Sequence, residues 1–144
     1  MANQKFILEK YDQYNHFGKL LGMEYTEMGI GKITYRLTIS EKHLATPNAA
    51  HGGVIAALMD GMLGVAALSA VAHDSKVVST IEYKTSFFSP ALLGDVLEGK
   101  AWVEKTGKRI LFSAGEITVV NRDFTIIAKG MGTFNAYPAE KAGY

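Results

Sequence analysis

The sequence predicts an α+β domain in which one antiparallel sheet curls around a long central helix. Two observations carry this. Gly52 to Ala72 is an almost unbroken apolar run, and a helix without a polar face is buried all round. The stretches beside it alternate apolar and polar residues and are linked by short turn signals, the pattern of half-buried antiparallel strands.

In chain order, Phe6 to Leu21 carries Ile7, Tyr11, Tyr14 and Leu21 near helical spacing and reads as an amphipathic N-terminal helix. Gly29 and Gly31 mark a turn. Ile33, Tyr35, Leu37 and Ile39 alternate with Lys32, Thr34, Arg36 and Thr38 in a first strand. A loop containing Pro47 and Asn48 leads into the central helix. Ala56, Ala57, Gly61, Gly64, Ala66 and Ala67 on that helix suit a closely wrapped sheet.

Four strands follow. In the first, Val77, Ser79, Ile81, Tyr83, Thr85 and Phe87 share one face, and Thr80, Glu82, Lys84 and Ser86 the other. The rest are Asp95 to Lys105, Ile110 to Val120, and Thr125 to Phe134, with a frayed tail beyond Pro138. The expected organisation is one domain: a helical segment over 1–28, a core over 29–135 and a tail over 136–144.

Composition narrows the function. Hydrophobic residues at 48% and charged residues at 20% fit a globular chain. A net charge of +1 offers no electrostatic argument for nucleic acid or a membrane surface. There is no cysteine, which removes disulfide and thiolate chemistry and fits the cytoplasm. The N-terminus lacks the build of a signal peptide. Val54 to Ala72 nearly reaches membrane-spanning length, but Asp60 inside it would cost about 2.5–3.5 kcal/mol near a bilayer centre.

Asp60 therefore reads as either a buried carboxylate held by hydrogen bonds or a functional group. His51-Gly52-Gly53 stands where a loop enters the helix. Its free amides and the positive helix end suit a carbonyl oxygen gaining negative charge, although the triplet taken alone reads first as a plain loop-to-helix turn with His51 on the surface. His51 and Asp60 are nine positions apart, about 13 Å along one helix and on opposite faces. Either their roles are unrelated, or a site forms between two copies of the chain. Lys105, Lys108 and Arg109 mark a solvated hairpin tip or a phosphate contact. His16, His43 and His73 show no metal-ligand spacing, so no metal is expected. Phosphate-loop and nucleophile-elbow motifs are missing.

The blocks HGGVIAALMD, STIEYKTSFFSPALLGD, GKRILFSAGEITV and IIAKGMGTF, spread over roughly residues 30 to 135, resemble the hotdog-fold acyl-CoA thioesterases of the phenylacetate-pathway (PaaI-like) type. The resemblance implies a helix wrapped by a five- to six-stranded antiparallel sheet, homodimers and dimers of dimers. It implies hydrolysis of an acyl- or aryl-acyl-CoA thioester without metal or further cofactor. Carried over by position, Asp60 is the carboxylate that activates water or attacks directly. The Gly52 amide polarises the thioester carbonyl, with His51 beside it and Gly53 next in the substrate contact. Thr80, ten positions before Pro90, holds the attacking water. Glu82, Lys108 and Arg109 are candidate substrate contacts, the last two for the CoA phosphates. One departure stands out. Many members carry Asn or Gln six positions before the histidine, where this chain has Ala45; Asn48 is the candidate replacement. A hydratase or dehydratase of the same fold and a non-catalytic acyl-CoA binding module are the alternatives.

Overall fold

The computed structural model describes residues 2–144. Helices α1 (Ala2–Tyr14) and α2 (His16–Leu21) lead into strands β1 (Glu24–Gly29) and β2 (Lys32–Thr38). Helix α3 (Gly52–Val71) crosses the molecule to β3 (Lys76–Phe87), followed by β4 (Val96–Thr106), β5 (Ile110–Val119) and β6 (Thr125–Pro138). All neighbours are antiparallel, in the order β1-β2-β4-β5-β6-β3. This six-stranded sheet wrapped around α3 is the hotdog fold.

The apolar run behaves as expected. Leu58, Met59, Met62, Leu63, Ala66 and Ala67 are fully enclosed. The helix is long and apolar enough to cross a membrane, but 72% of its apolar window is buried inside the protein. The sheet approaches it through its own glycines, one on each of three strands. A Cβ at Gly99 would stand 2.5 Å from Met62 Sδ, at Gly115 2.6 Å from Met62 Cε, and at Gly130 2.8 Å from Met59 Sδ. Only residues without a side chain allow such contact. The sequence reading had placed that role on the helix glycines.

Several expectations change. The N-terminal helix is broken at Asn15, whose side chain accepts from the Gly18 amide and starts α2. Strand β1 was not foreseen: it is exposed apart from half-buried Tyr25 and so lacks an alternating pattern. The single alternation assigned to β3 fails because the register shifts between Thr80 and Glu82. One extra residue at Ile81 reverses the side-chain faces beyond it. Thr80 thereby shares the helix-facing side with Tyr83, Thr85 and Phe87, while Glu82 turns outward. The last strand also continues past Phe134 to Pro138, and a 3₁₀ turn follows over Ala139–Ala142 with Ala139 buried.

Candidate active site

Two clusters lie along α3. At its start, His51 is the N-cap, with extended backbone (φ −63°, ψ 137°). Its Nδ1 accepts from the Gly53 amide at 2.7 Å, and its carbonyl accepts from Val54 at 3.0 Å. An accepting Nδ1 places the ring proton on Nε2 of a neutral imidazole. Gly53 is required for this cap, since a Cβ there would lie 2.8 Å from Nδ1. The cap also consumes the Gly53 amide. The Gly52 amide, first in the helix, has no partner among the described residues. The helix start thus offers two outward donors, Gly52 N–H and His51 Nε2–H.

The approach to this turn is held rigidly. His51 N–H donates to the His43 carbonyl at 2.8 Å. His43 is buried and pinned at both nitrogens: Nδ1 accepts from Ser40 N–H at 3.0 Å, and Nε2 donates to the Leu21 carbonyl at 2.7 Å. Ala50 N–H donates to the Ala91 carbonyl and Leu93 N–H to the Asn48 carbonyl. Behind them, Arg122 grips buried Asp95 through Nε at 3.0 Å and a terminal nitrogen at 2.6 Å, and also donates to the Pro90 carbonyl. The sequence reading missed His43, Asp95 and Arg122 in this role; nothing in their spacing marks it.

The second cluster surrounds Asp60, half-buried at mid-helix. Thr80 Oγ1 donates to Asp60 Oδ1 at 2.8 Å. The β3 bulge is what turns Thr80 toward the helix. The carboxylate opens on a cavity of about 420 Å³ lined by Tyr11, Gly61, Gly64, Thr80, Phe134 and Tyr144, among others. Gly61 and Gly64 leave the room. Burial, with the Asp60 charge adding to it, raises the pKa of Tyr11 and of Tyr83, so both phenols are neutral at physiological pH. The aromatic wall was not assigned from sequence; Tyr11 gave a signal only as an apolar helix position.

The other candidates lie elsewhere. Asn48 is exposed, and its Oδ1 accepts weakly from Thr46 Oγ1 at 3.4 Å. Glu82 accepts from the Thr133 hydroxyl on the outer face, away from Asp60. Lys108 and Arg109 are exposed at the β4–β5 turn, with Arg109 reaching Asn135 Oδ1 at 3.5 Å. Among the described residues no three His, Asp or Glu side chains gather as a metal site. The structure brings Asp60 to Thr80, and His51 to Gly52 and Gly53. It leaves the two groups apart along the helix.

A profile of the thioesterase superfamily matches residues 48–123, which spans both clusters. The chain belongs to the thioesterase superfamily. It is a thioester hydrolase with the PaaI-like hotdog architecture. A putative esterase from Pseudomonas aeruginosa is 30% identical over 104 residues, covering 72% of this chain and 75% of the relative. Human acyl-coenzyme A thioesterase 13 is 26% identical over 113 residues, 78% of this chain and 79% of its own. The structure of the Escherichia coli PaaI protein, from the phenylacetic acid degradation operon, superposes with a TM-score of 0.84 over 94% of both chains at 20% identity.

Proposed function

We propose that this thioesterase hydrolyses acyl-CoA thioesters with a water activated by Asp60, in sites shared between two copies of the chain. The carrying observation is the Thr80–Asp60 hydrogen bond in the wall of the apolar-aromatic cavity. Thr80 fixes one carboxylate oxygen and leaves the other free to take a proton. The threonine oxygen keeps lone pairs for the second hydrogen of the same water. The name of the human relative supports CoA as the thiol carrier.

In the proposed step, Asp60 removes a proton as the water oxygen attacks the thioester carbon. Negative charge collects on the carbonyl oxygen, where a preorganised amide is most effective. Gly52 N–H and His51 Nε2–H are such donors. The intermediate collapses with cleavage of the C–S bond, and Asp60 returns its proton to the departing CoA thiolate. Water is the only co-reactant.

One chain holds the base and the oxyanion donors too far apart for one thioester. A second copy solves this. β3 is the longer of the two edge strands, twelve residues against six in β1, with Ile81 54% and Tyr83 36% exposed. A long edge strand without proline is a template for another strand. Pairing two β3 strands about a two-fold axis doubles the sheet and sets the α3 helices antiparallel. The HGG turn of one copy then approaches Asp60 of the other, giving two equivalent sites. Dimers would pair further through the outer sheet face, where Phe112 and Met131 are exposed.

Thiol release from a panel of acyl-CoAs tests this reading. Asp60→Asn keeps an acceptor for Thr80 but removes the base, and we expect kcat to fall by about 10²–10⁴-fold with folding intact. Full turnover by the variant would reject the mechanism.

A further inference from the structure

The Asp60 cavity has a direction. Asp60, Gly64 and Leu68 all line it and, four residues apart, share one face of α3. From Asp60 to Leu68 the helix advances about 12 Å. A second cavity, of about 450 Å³, lies beyond the end of α3 and is lined by Phe6, Ile7, Asp74, Ser75 and Pro138 among others. Asp74 and Ser75 come just after the helix in the chain, so the second cavity continues the line that runs from Asp60 through Leu68.

Among the described residues, Tyr144 alone belongs to both linings. Its place is set by the backbone. Ala139 N–H donates to the Ser75 carbonyl at 2.9 Å, which anchors the 3₁₀ turn over Ala139–Ala142 beside the end of α3. Gly143 then adopts a left-handed conformation (φ 85°), open to glycine without steric cost, and Tyr144 N–H folds back to the Ala139 carbonyl at 3.3 Å. The Tyr144 ring is half-buried and packs on the core, as do Tyr11 and Tyr137. Burial, and after it the neighbouring Tyr137, raises the Tyr144 pKa, so the phenol is neutral. An uncharged ring thus stands between two cavities of similar size.

We infer that Tyr144 is a specificity-determining residue whose ring closes the acyl cavity at the end remote from Asp60 and sets the longest acyl chain accepted. The substrate class is then a linear, medium-chain acyl thioester whose terminal methyl stops at that ring. This rests on the thioesterase reading of the Asp60 site, where the reacting carbon sits. An extended chain advances about 3.3–3.6 Å per three bonds, so about 12 Å of helix face accommodates about ten carbons. A chain too long by one methylene is disfavoured about 10- to 200-fold by an apolar pocket. Without the ring, the space of about 420 Å³ beside Asp60 joins the second, of about 450 Å³, and a longer chain has somewhere to go.

The test reads kcat/KM by thiol release over linear acyl-CoA thioesters from acetyl to palmitoyl, with wild type, Tyr144→Ala, Tyr144→Phe and Tyr137→Ala, and thermal melts alongside. Wild type should rise with chain length to about ten carbons and then fall about tenfold or more over the next two. Tyr144→Ala should move that cut-off up by about four carbons or more. Tyr144→Phe keeps the ring and should keep the wild-type cut-off. Tyr137 lines the first cavity and not the second, so Tyr137→Ala enlarges one space without joining the two and should leave the cut-off within two carbons of wild type. A wild-type profile with no cut-off up to palmitoyl, an unmoved cut-off in Tyr144→Ala, or an equal shift in Tyr137→Ala would overturn the inference while leaving the thioesterase reading intact. No thiol release from any thioester would remove the thioesterase reading, and this inference with it.

Discussion

Replacing Gly52 by proline separates the backbone amide from every side chain at the site. Proline lacks the N–H and is tolerated at the first helical position, where that donor has no intrahelical partner. His51 already has the extended backbone that a residue before proline prefers, with φ −63° and ψ 137°. A Cβ at Gly52 would stand 3.8 Å from the Phe87 ring, ordinary van der Waals contact. The fold should therefore accept the change, with stability level or raised by about 0.4–1 kcal/mol. Losing one oxyanion donor costs roughly 2.7–4 kcal/mol of transition-state stabilisation, about 10²–10³ in kcat. Gly52→Ala keeps the amide and should stay within a few-fold of wild type. Both are read by thiol release, with thermal melts alongside. Wild-type kcat in Gly52→Pro, or an equal loss in Gly52→Ala, would refute the assignment.

Thr80→Val removes the hydroxyl that orients Asp60 at nearly constant shape. A hydrogen bond to a charged group contributes about 1.5–3 kcal/mol, so kcat should drop roughly 10- to 100-fold with little change in KM; unchanged kcat would deny Thr80 its role. Arg122→Met strands buried Asp95, and urea unfolding should show a loss of about 3 kcal/mol; a loss below 1 kcal/mol would mean that solvent compensates the carboxylate. Tyr25 is pushed up to about 12, mainly by burial, from an ordinary 10.0. The unfolded chain releases that proton first, so the contribution to stability is complete below pH 10 and falls as pH rises through 12; Tyr25→Phe should flatten the decline measured by denaturant titration.

The long helix, the last three strands and Asp60 were legible because burial writes a strong pattern. An all-apolar run of that length has few folded solutions, and a single carboxylate in it stands out. Strand β1 left no trace because its side chains mostly face solvent. The bulge at Ile81 was invisible for a different reason. Each residue from Val77 to Phe87 fits an unbroken alternation, and only pairing with β6 shows the extra one. That shift separates Thr80 from Glu82, which the sequence had placed on one face. The HGG motif was readable as a helix start, but not the division of labour within it. His51 occupies the Gly53 amide and leaves that of Gly52 free, a distinction only the cap geometry shows. The cavity's aromatic wall joins α1, β6 and the last residue, positions too distant in sequence to be grouped.

The shared site is tested most directly by mixing two inactive parents. Asp60→Asn and Gly52→Pro chains should each show little turnover alone. Random reassociation puts half of the dimers in the mixed form, and each mixed dimer has one site with both an intact Asp60 and an intact Gly52 amide. Thiol release should then recover to about a quarter of wild type, as expected for isologous pairing. Mixed dimers verified by mass yet no more active than their parents would contradict a site built from two chains.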